Sequence, residues 1–407
     1  MSASEHLDDQ LPEHLVGVIG APGHARVSSW GRVAPGNVSW HLDWWIGADD
    51  RWHAPEHEAA VRQTMVDGMP VVRTAMRIPG GDALQQLAAV PEPDELAIVD
   101  VTNDSPGAFV LALVIRDAAS VEIDGTMVYV DGSPALRPMR APSRWATGTS
   151  EAAPDELHAT VVGGAASAGP FVPVSDPAGH AAAALLFPIA HRTTFRCAVA
   201  LDPRGMRSVD PVTLPAPESV ARGWRAQLGR GMRVELPEAA LQDAIDGARA
   251  QVLLAGQVPG AGPEVVAALE DWGVDAEART AWKRLSRRAR KQATERDAAD
   301  WTIVRDRAAG DPASLLIAAR AAVMRESRNV VELFPSLPDE WRGAALDVRD
   351  APTREGPVSC AVRWHGERPA LLWDAPAGVT VRAPGLDPSW STDQPTGETL
   401  LGAPGRA

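Results

Sequence analysis

Lysine is nearly missing from this chain of 407 residues: only Lys283 and Lys291 occur among 39 basic residues, and the rest are arginine. Tyrosine occurs once and phenylalanine five times, which leaves tryptophan, with 14 copies, as the main aromatic. Cysteine is limited to Cys197 and Cys360, far apart and without metal-type spacing. Such a pair excludes a disulfide scaffold and reads as two buried, reduced thiols. No apolar run approaches the roughly 20 residues that cross a bilayer. Met1 to Leu15 is acidic and lacks an apolar centre, so no signal peptide is expected and the expected compartment is the cytoplasm. Net charge is −14, which argues against general nucleic-acid affinity, because phosphate binding needs clustered positive charge.

What remains is 45% hydrophobic and 23% charged, enough globular material for two or three domains. Strand signals run from Val16 to about Leu214. Leu96 to Thr102 and Phe109 to Ile115 are β-rich runs separated by the turn cluster 103–107. Val121 to Val130 carries Asp124-Gly125 between two β runs, a hairpin signal. Further strands are expected at Leu157 to Val162, Ala183 to Ile189 and Thr194 to Leu201. Thr147 to Asp155 and Gly163 to Gly169 read as loops, and Pro203 to Glu218 as a connector. Many short strands with little helix between them predict an antiparallel sandwich.

The stretch Trp40 to His53 holds four tryptophans in a setting of Asp, Arg and His. Trp44, Trp45, Asp49, Asp50, Arg51 and Trp52 are the candidate substrate-binding residues. Indole faces stack on pyranose rings, while carboxylates and guanidinium groups hydrogen-bond hydroxyls. The competing reading is that these rings fill the core. His41, His53 and His57 lie nearby, but their irregular spacing without matching carboxylates argues against a metal.

Glu235 to Ser327 is Ala-rich and helix-patterned. Pro237 to Ala255 carries a stripe of Leu241, Ile245, Ala248 and Val252, and Pro263 to Trp272 forms a second helix stopped by Gly273. Asp275 is placed to cap a third, with Ala278, Trp282, Leu285 and Ala289 on one face, extending toward Arg307. Asp311-Pro312 opens a fourth with Leu315, Ala319 and Ala322 or Val323 inward. Basic residues from Arg279 to Arg296 crowd the third helix. Trp282 and Trp301 are expected on the apolar side, which leaves a solvated cationic face. Beyond Trp341, alternation of Val358, Cys360, Val362 and Trp364 with Ser359, Ala361 and Arg363 predicts strands of a compact antiparallel cap.

Several long motifs carry a family resemblance. Leu333 to Gly343, Asp350 to Arg354 and Ala361 to Trp373 resemble the exit from toroid to C-terminal β domain in (α/α)6 glycosidases. Asp43 to Trp52 and Val61 to Arg77 are similar to the same group, glycosidase-like actinobacterial proteins. The resemblance implies an N-terminal sandwich (1–225), a helical toroid region (226–330) and a C-terminal β domain (331–407). Twelve helices of about 11 residues with loops of about 5 need on the order of 190 residues. The helical stretch holds half of that at best. The Trp-Pro-Glu and Gly-Asp-Gly-His-His-Gly segments implied for relatives are not found, since Gly310-Asp311 runs straight into Pro312. Glu264, Glu270, Asp271, Asp300 and Asp306 are available, but none sits in a catalytic motif, so no catalytic residue is assigned. The expectation is a β-rich, multidomain, glycosidase-derived protein with a truncated toroid. It would be a non-catalytic binding or scaffold protein; the alternative is an active hydrolase or phosphorylase on a glucan-type oligosaccharide. A carbohydrate ligand and a second copy, paired through the helical region, are the expected partners. Nucleic acid, membrane, cofactor and metal are not expected.

Overall fold

The computed structural model describes residues 14–402 except 37, 92, 203–205, 207–208 and 293–297. The chain is β-rich, with helices concentrated in the middle and further sheets after them. It divides into two compact units, Met1–Arg222 and Gly223–Ala407. Helices and C-terminal strands, which read as two domains in sequence, therefore share the second unit.

The first unit is an antiparallel sandwich of an eight-stranded and a nine-stranded sheet. In the eight-stranded sheet, Phe109–Ala118 is central, between His41–Gly47 and Ala181–Ile189. Alternation sends Leu42, Trp44 and Ile46, with Leu111, Leu113 and Phe187, into the core shared with Val99, Val101 and Phe195 of the other sheet. Trp45, Ala112, Val114, Ala184 and Leu186 point the other way, under helix α1, Ala153–Val162. The central strands are apolar over most of their length because both their faces are covered, and their charged residues, Asp43, Arg116 and Asp117, gather toward one end. The 124–127 hairpin forms, with Asp124 pairing Met127 and Gly125, at φ 61°, inside the turn.

Helix α1 overturns the strand expected at Leu157 to Val162. It begins with proline in its first turn beside Asp155 and Glu156, both favourable at a helix N-terminus. Ala153, Leu157 and Val161 then recur every fourth residue and bury against the sheet. The loop expected at Thr147 to Asp155 is replaced by the end of strand Arg144–Gly148 and the start of α1. Helix α2, Pro217–Leu228, follows the connector and was not expected.

Beyond the end of α2, the described residues of the second unit form five α-helices: α3 Ala239–Ala255, α4 Pro263–Asp271, α5 Asp275–Arg284, α6 Trp301–Arg307 and α7 Pro312–Val323. The predicted stripe on α3 is buried, but so are Arg249, Ala250, Gln251, Leu253 and Leu254, so the C-terminal half of the helix is surrounded by protein. Helix α5 stops early, at Arg284, because the backbone turns extended at Leu285. The helix expected to continue toward Arg307 is two helices instead, because Asp300 accepts the Ile303 N–H and caps α6 afresh. Ala289, expected on the third helix, lies in a short 3-10 turn, and Asp275 is the first helical residue rather than a side-chain cap. Asp311 does cap α7, accepting the Ser314 N–H at 2.7 Å. Trp301 is buried, whereas Trp282 is 43% exposed: α5 buries Ala278 and Ala281, and position 282 lies off that face.

The C-terminal strands form two sheets. Arg233–Glu235, before the helices, is the edge of a five-stranded antiparallel sheet with Leu346–Ala351, Val358–His365, Arg368–Asp374 and Thr396–Leu400. The four-stranded sheet contains a parallel pair, Val330–Leu333 with Thr380–Ala383, so the cap is not wholly antiparallel. Cys197 and Cys360 are both buried, free thiols, and burial raises the pKa of each. Among the described residues no helix is long and apolar enough to cross a membrane.

Candidate functional site

Consecutive strand residues point to opposite faces, and this separates Trp44 from Trp45. Trp44, 1% exposed, lies in the sandwich core and donates its indole N–H to Trp30 O at 3.0 Å. Trp45, 2% exposed, packs edge-on against His158 of α1, with ring centroids 5.1 Å apart. Neither offers a face to a sugar, so the expected double-indole platform is not formed; both rings are packing. Trp52 is half-buried against Gly47, where an added Cβ would lie 2.8 Å from the indole. Asp49, Asp50 and Arg51 occupy an exposed turn. Asp50 pairs with His53 at 3.0 Å, and Arg51 makes a bidentate pair with Glu58, which also faces His53. The His53 hydrogen bond holds the Asp50 carboxyl below its ordinary pKa, and the Arg51 hydrogen bond does the same for Glu58. These polar groups are already paired with one another.

The same outward strand face assembles a charged cluster that composition could not reveal. Asp43 receives Arg32 Nε at 2.9 Å and lies 3.0 Å from Arg116 Nε. The same two guanidinium groups reach Glu56, at 3.1 and 2.9 Å. His41, opposite Arg116 in register, sits 3.5 Å from Asp43 and 3.1 Å from Asp117. Burial works against an ionised Asp43. The His41 hydrogen bond and the Arg116 and Arg32 charges outweigh it and hold its pKa well below the usual carboxylate range. Burial also pushes His41 down, but its bonds to Asp117 and Asp43 prevail, and its pKa is raised. With two carboxylates cross-bridged by two arginines, the cluster ties strand to turn. His57 lies out in solvent. Among the described residues no group of three metal-type ligands converges.

The second unit has a cleft of about 650 Å³. Glu270 and Asp271 border it from the end of α4, Arg320 from α7, Arg325 and Glu326 from strand Met324–Ser327, and Arg354 from the turn after Ala351. Arg320 donates to Met324 O at 2.6 Å and to Pro352 O at 2.8 Å, fastening the strand to the turn. Glu326 Oε1 accepts the Arg354 backbone N–H at 3.1 Å. Of the helical carboxylates noted in sequence, Glu270 and Asp271 reach this cleft, Asp300 caps α6, Glu264 folds back over Gly262, and Asp306 is exposed. A smaller cleft in the first unit, about 310 Å³, includes Trp40, Asp131 and Asp202. There Asp131 is occupied by the backbone N–H groups of Ala119 and Ser120.

The cleft residues come from four separated segments, so no local motif could announce them. The signal for the indoles was present: once 41–47 is a strand, adjacency puts rings 44 and 45 on opposite faces. No protein-family model matches this chain, and none of the curated proteins does.

Proposed function

We propose that this chain is a glycosidase-derived protein that no longer hydrolyses glycans and acts as a binding or scaffold protein for a carbohydrate. The observation that carries this reading is the helical middle. The described residues of Ala239 to Val323 form five α-helices between β-rich parts, where a closed double ring needs twelve. The long motifs of the flanks support the ancestry, and the shortness of the middle supports the loss of turnover. A cytoplasmic location belongs to the same proposal; the two buried, unpaired thiols suit a reducing compartment.

The test is incubation of the full chain with maltose and with a glycogen-type oligomer, with and without inorganic phosphate. No product above the protein-free control is expected. The competing reading, a hydrolase or phosphorylase, has one observation in its favour: Glu270, Asp271 and Glu326 border a single cleft. Turnover abolished by replacing one of them would establish that reading and remove ours. Pairing of two copies through the helical region would have Trp282 as its exposed large apolar anchor there. A monomer mass in light scattering would remove the pairing.

A further inference from the structure

The walls of the second-unit cleft carry guanidinium and carboxylate groups in equal number: Arg320, Arg325 and Arg354 against Glu270, Asp271 and Glu326. Among the described residues no aromatic ring contributes. Its volume, about 650 Å³, lies within the roughly 300–1,000 Å³ usual for small-molecule sites. Two of the residues that line it keep unused bonding capacity. Arg325 donates through Nη2 to Ala299 O at 3.0 Å, while its buried Nε has no acceptor among the described protein atoms. Leaving such a donor unmade is costly, and a ligand oxygen that came within reach of this guanidinium would relieve that cost. Glu326 uses Oε1 for the Arg354 N–H, and its carboxylate has further lone pairs to offer.

We infer that this cleft binds a neutral, polyhydroxylated ligand of one or two sugar rings, with Arg325 donating to its hydroxyl oxygens and Glu326 accepting from its hydroxyl hydrogens. A hydroxyl both donates and accepts, so one ligand can satisfy both kinds of wall. An anion would face three carboxylates and a cation three guanidinium groups. An apolar molecule would strip water from six charges without replacing it. The absence of a stacking ring means that recognition rests on charge-assisted hydrogen bonds rather than on ring faces. Arg320, held by the Met324 and Pro352 carbonyls, keeps the strand and turn that carry these groups in fixed relation.

The inference deepens the binding reading above by giving it a site, and it stands on the cleft rather than on the helix count. Its test is calorimetric titration of the full chain with maltose, sorbitol, gluconate and glucosamine. The same titrations follow on Glu326→Gln, Arg325→Gln and, as a control away from the cleft, Trp282→Ala. Glu326→Gln keeps the oxygen that accepts the Arg354 N–H, so its thermal midpoint should match the native protein. Maltose is expected to bind more tightly than gluconate or glucosamine. Each cleft variant should weaken it about tenfold, the worth of one charge-assisted hydrogen bond, and Trp282→Ala should leave it unchanged. Preference for gluconate or glucosamine overturns the neutral class, and absence of binding by all four probes overturns the site. Maltose affinity unchanged in both cleft variants also overturns the site, while the general binding reading survives. Product formed from maltose would instead defeat the non-catalytic reading and leave the cleft assignment standing.

Discussion

Asp43 is a carboxylate with almost no access to water, and its neighbours explain how it stays ionised. Arg32 and Arg116 lie within 3.0 Å of it, and both also reach Glu56. Removing one partner from a buried ionic network leaves the others uncompensated, at a cost of about 3–5 kcal/mol. Asp43→Asn should therefore lower the urea midpoint of the first unit by that amount of stability, and an unchanged midpoint would show that the network contributes nothing net. The pH dependence has two signs. Asp43 has a folded pKa below its unfolded value of about 3.9, so its contribution is complete above that pH and fades as pH falls below it. His41 has a folded pKa above its unfolded value of about 6.5, so its contribution is complete below that pH and is lost as pH rises through the folded value. The urea midpoint should fall as pH rises above about 6.5 and through the raised folded value of His41. In His41→Gln that fall should flatten; an equal fall in the variant would place the titrating group elsewhere. At this scale the sequence was partly legible. The segment 40–53 held Asp43 and His41, but their partners at 32, 56, 116 and 117 come together only when the strands pair.

Among the elements, α1 shows most clearly how tertiary packing overrides a local pattern. Val161-Val162 favours a strand, and the acidic first turn favours a helix. What decides is the sheet face beneath: Ala112, Val114, Ala182 and Ala184 are small residues that leave room for a helix carrying Leu157 and Val161. Leu157, 1% exposed, should cost about 2–5 kcal/mol on Leu157→Ala, as large-to-small changes at packed sites do. Hydrogen exchange tells this from general unfolding. Amides of α1 should lose protection while those of Phe109–Ala118, bonded to strands on both sides, keep theirs. Equal loss in both would mean that α1 is part of the sheet's own folding unit rather than a cover on it. The strands themselves were legible because β-rich runs alternate with strong turn clusters. The break after α5 was not, since nothing in the composition from Leu285 onward stops a helix. The new cap at Asp300 and the extended backbone at Leu285 set it.

For the whole molecule, the division of the chain differs from the three-part order that the sequence suggests, and the reason is a strand of three residues. Arg233–Glu235 lies before helices α3 to α7, yet it pairs with Leu346–Ala351 beyond them. Met324–Ser327 and Val330–Leu333 likewise sit at the end of the helices and pair into the sheet that Thr380–Ala383 and Asp387–Thr392 complete. The helices are therefore an excursion between strands of shared sheets. A cut at 330, where the sequence would place a domain boundary, removes an edge strand from the five-stranded sheet and Met324–Ser327 from the other. Charge also divides unevenly: residues 1–222 hold 15 basic and 27 acidic residues, and 223–407 hold 24 and 26. Charge repulsion within the second unit is consequently small. Residues 223–407, expressed alone, should fold with dispersed amide resonances and one cooperative urea transition. Residues 331–407 alone should give collapsed resonances and no cooperative transition, because two sheets with missing edge strands and no helices behind them expose too much apolar surface to close a core. Cooperative folding of 331–407 would show instead that the C-terminal strands are a domain of their own, and that Arg233–Glu235 is an accessory edge rather than the strand that makes helices and sheets one unit.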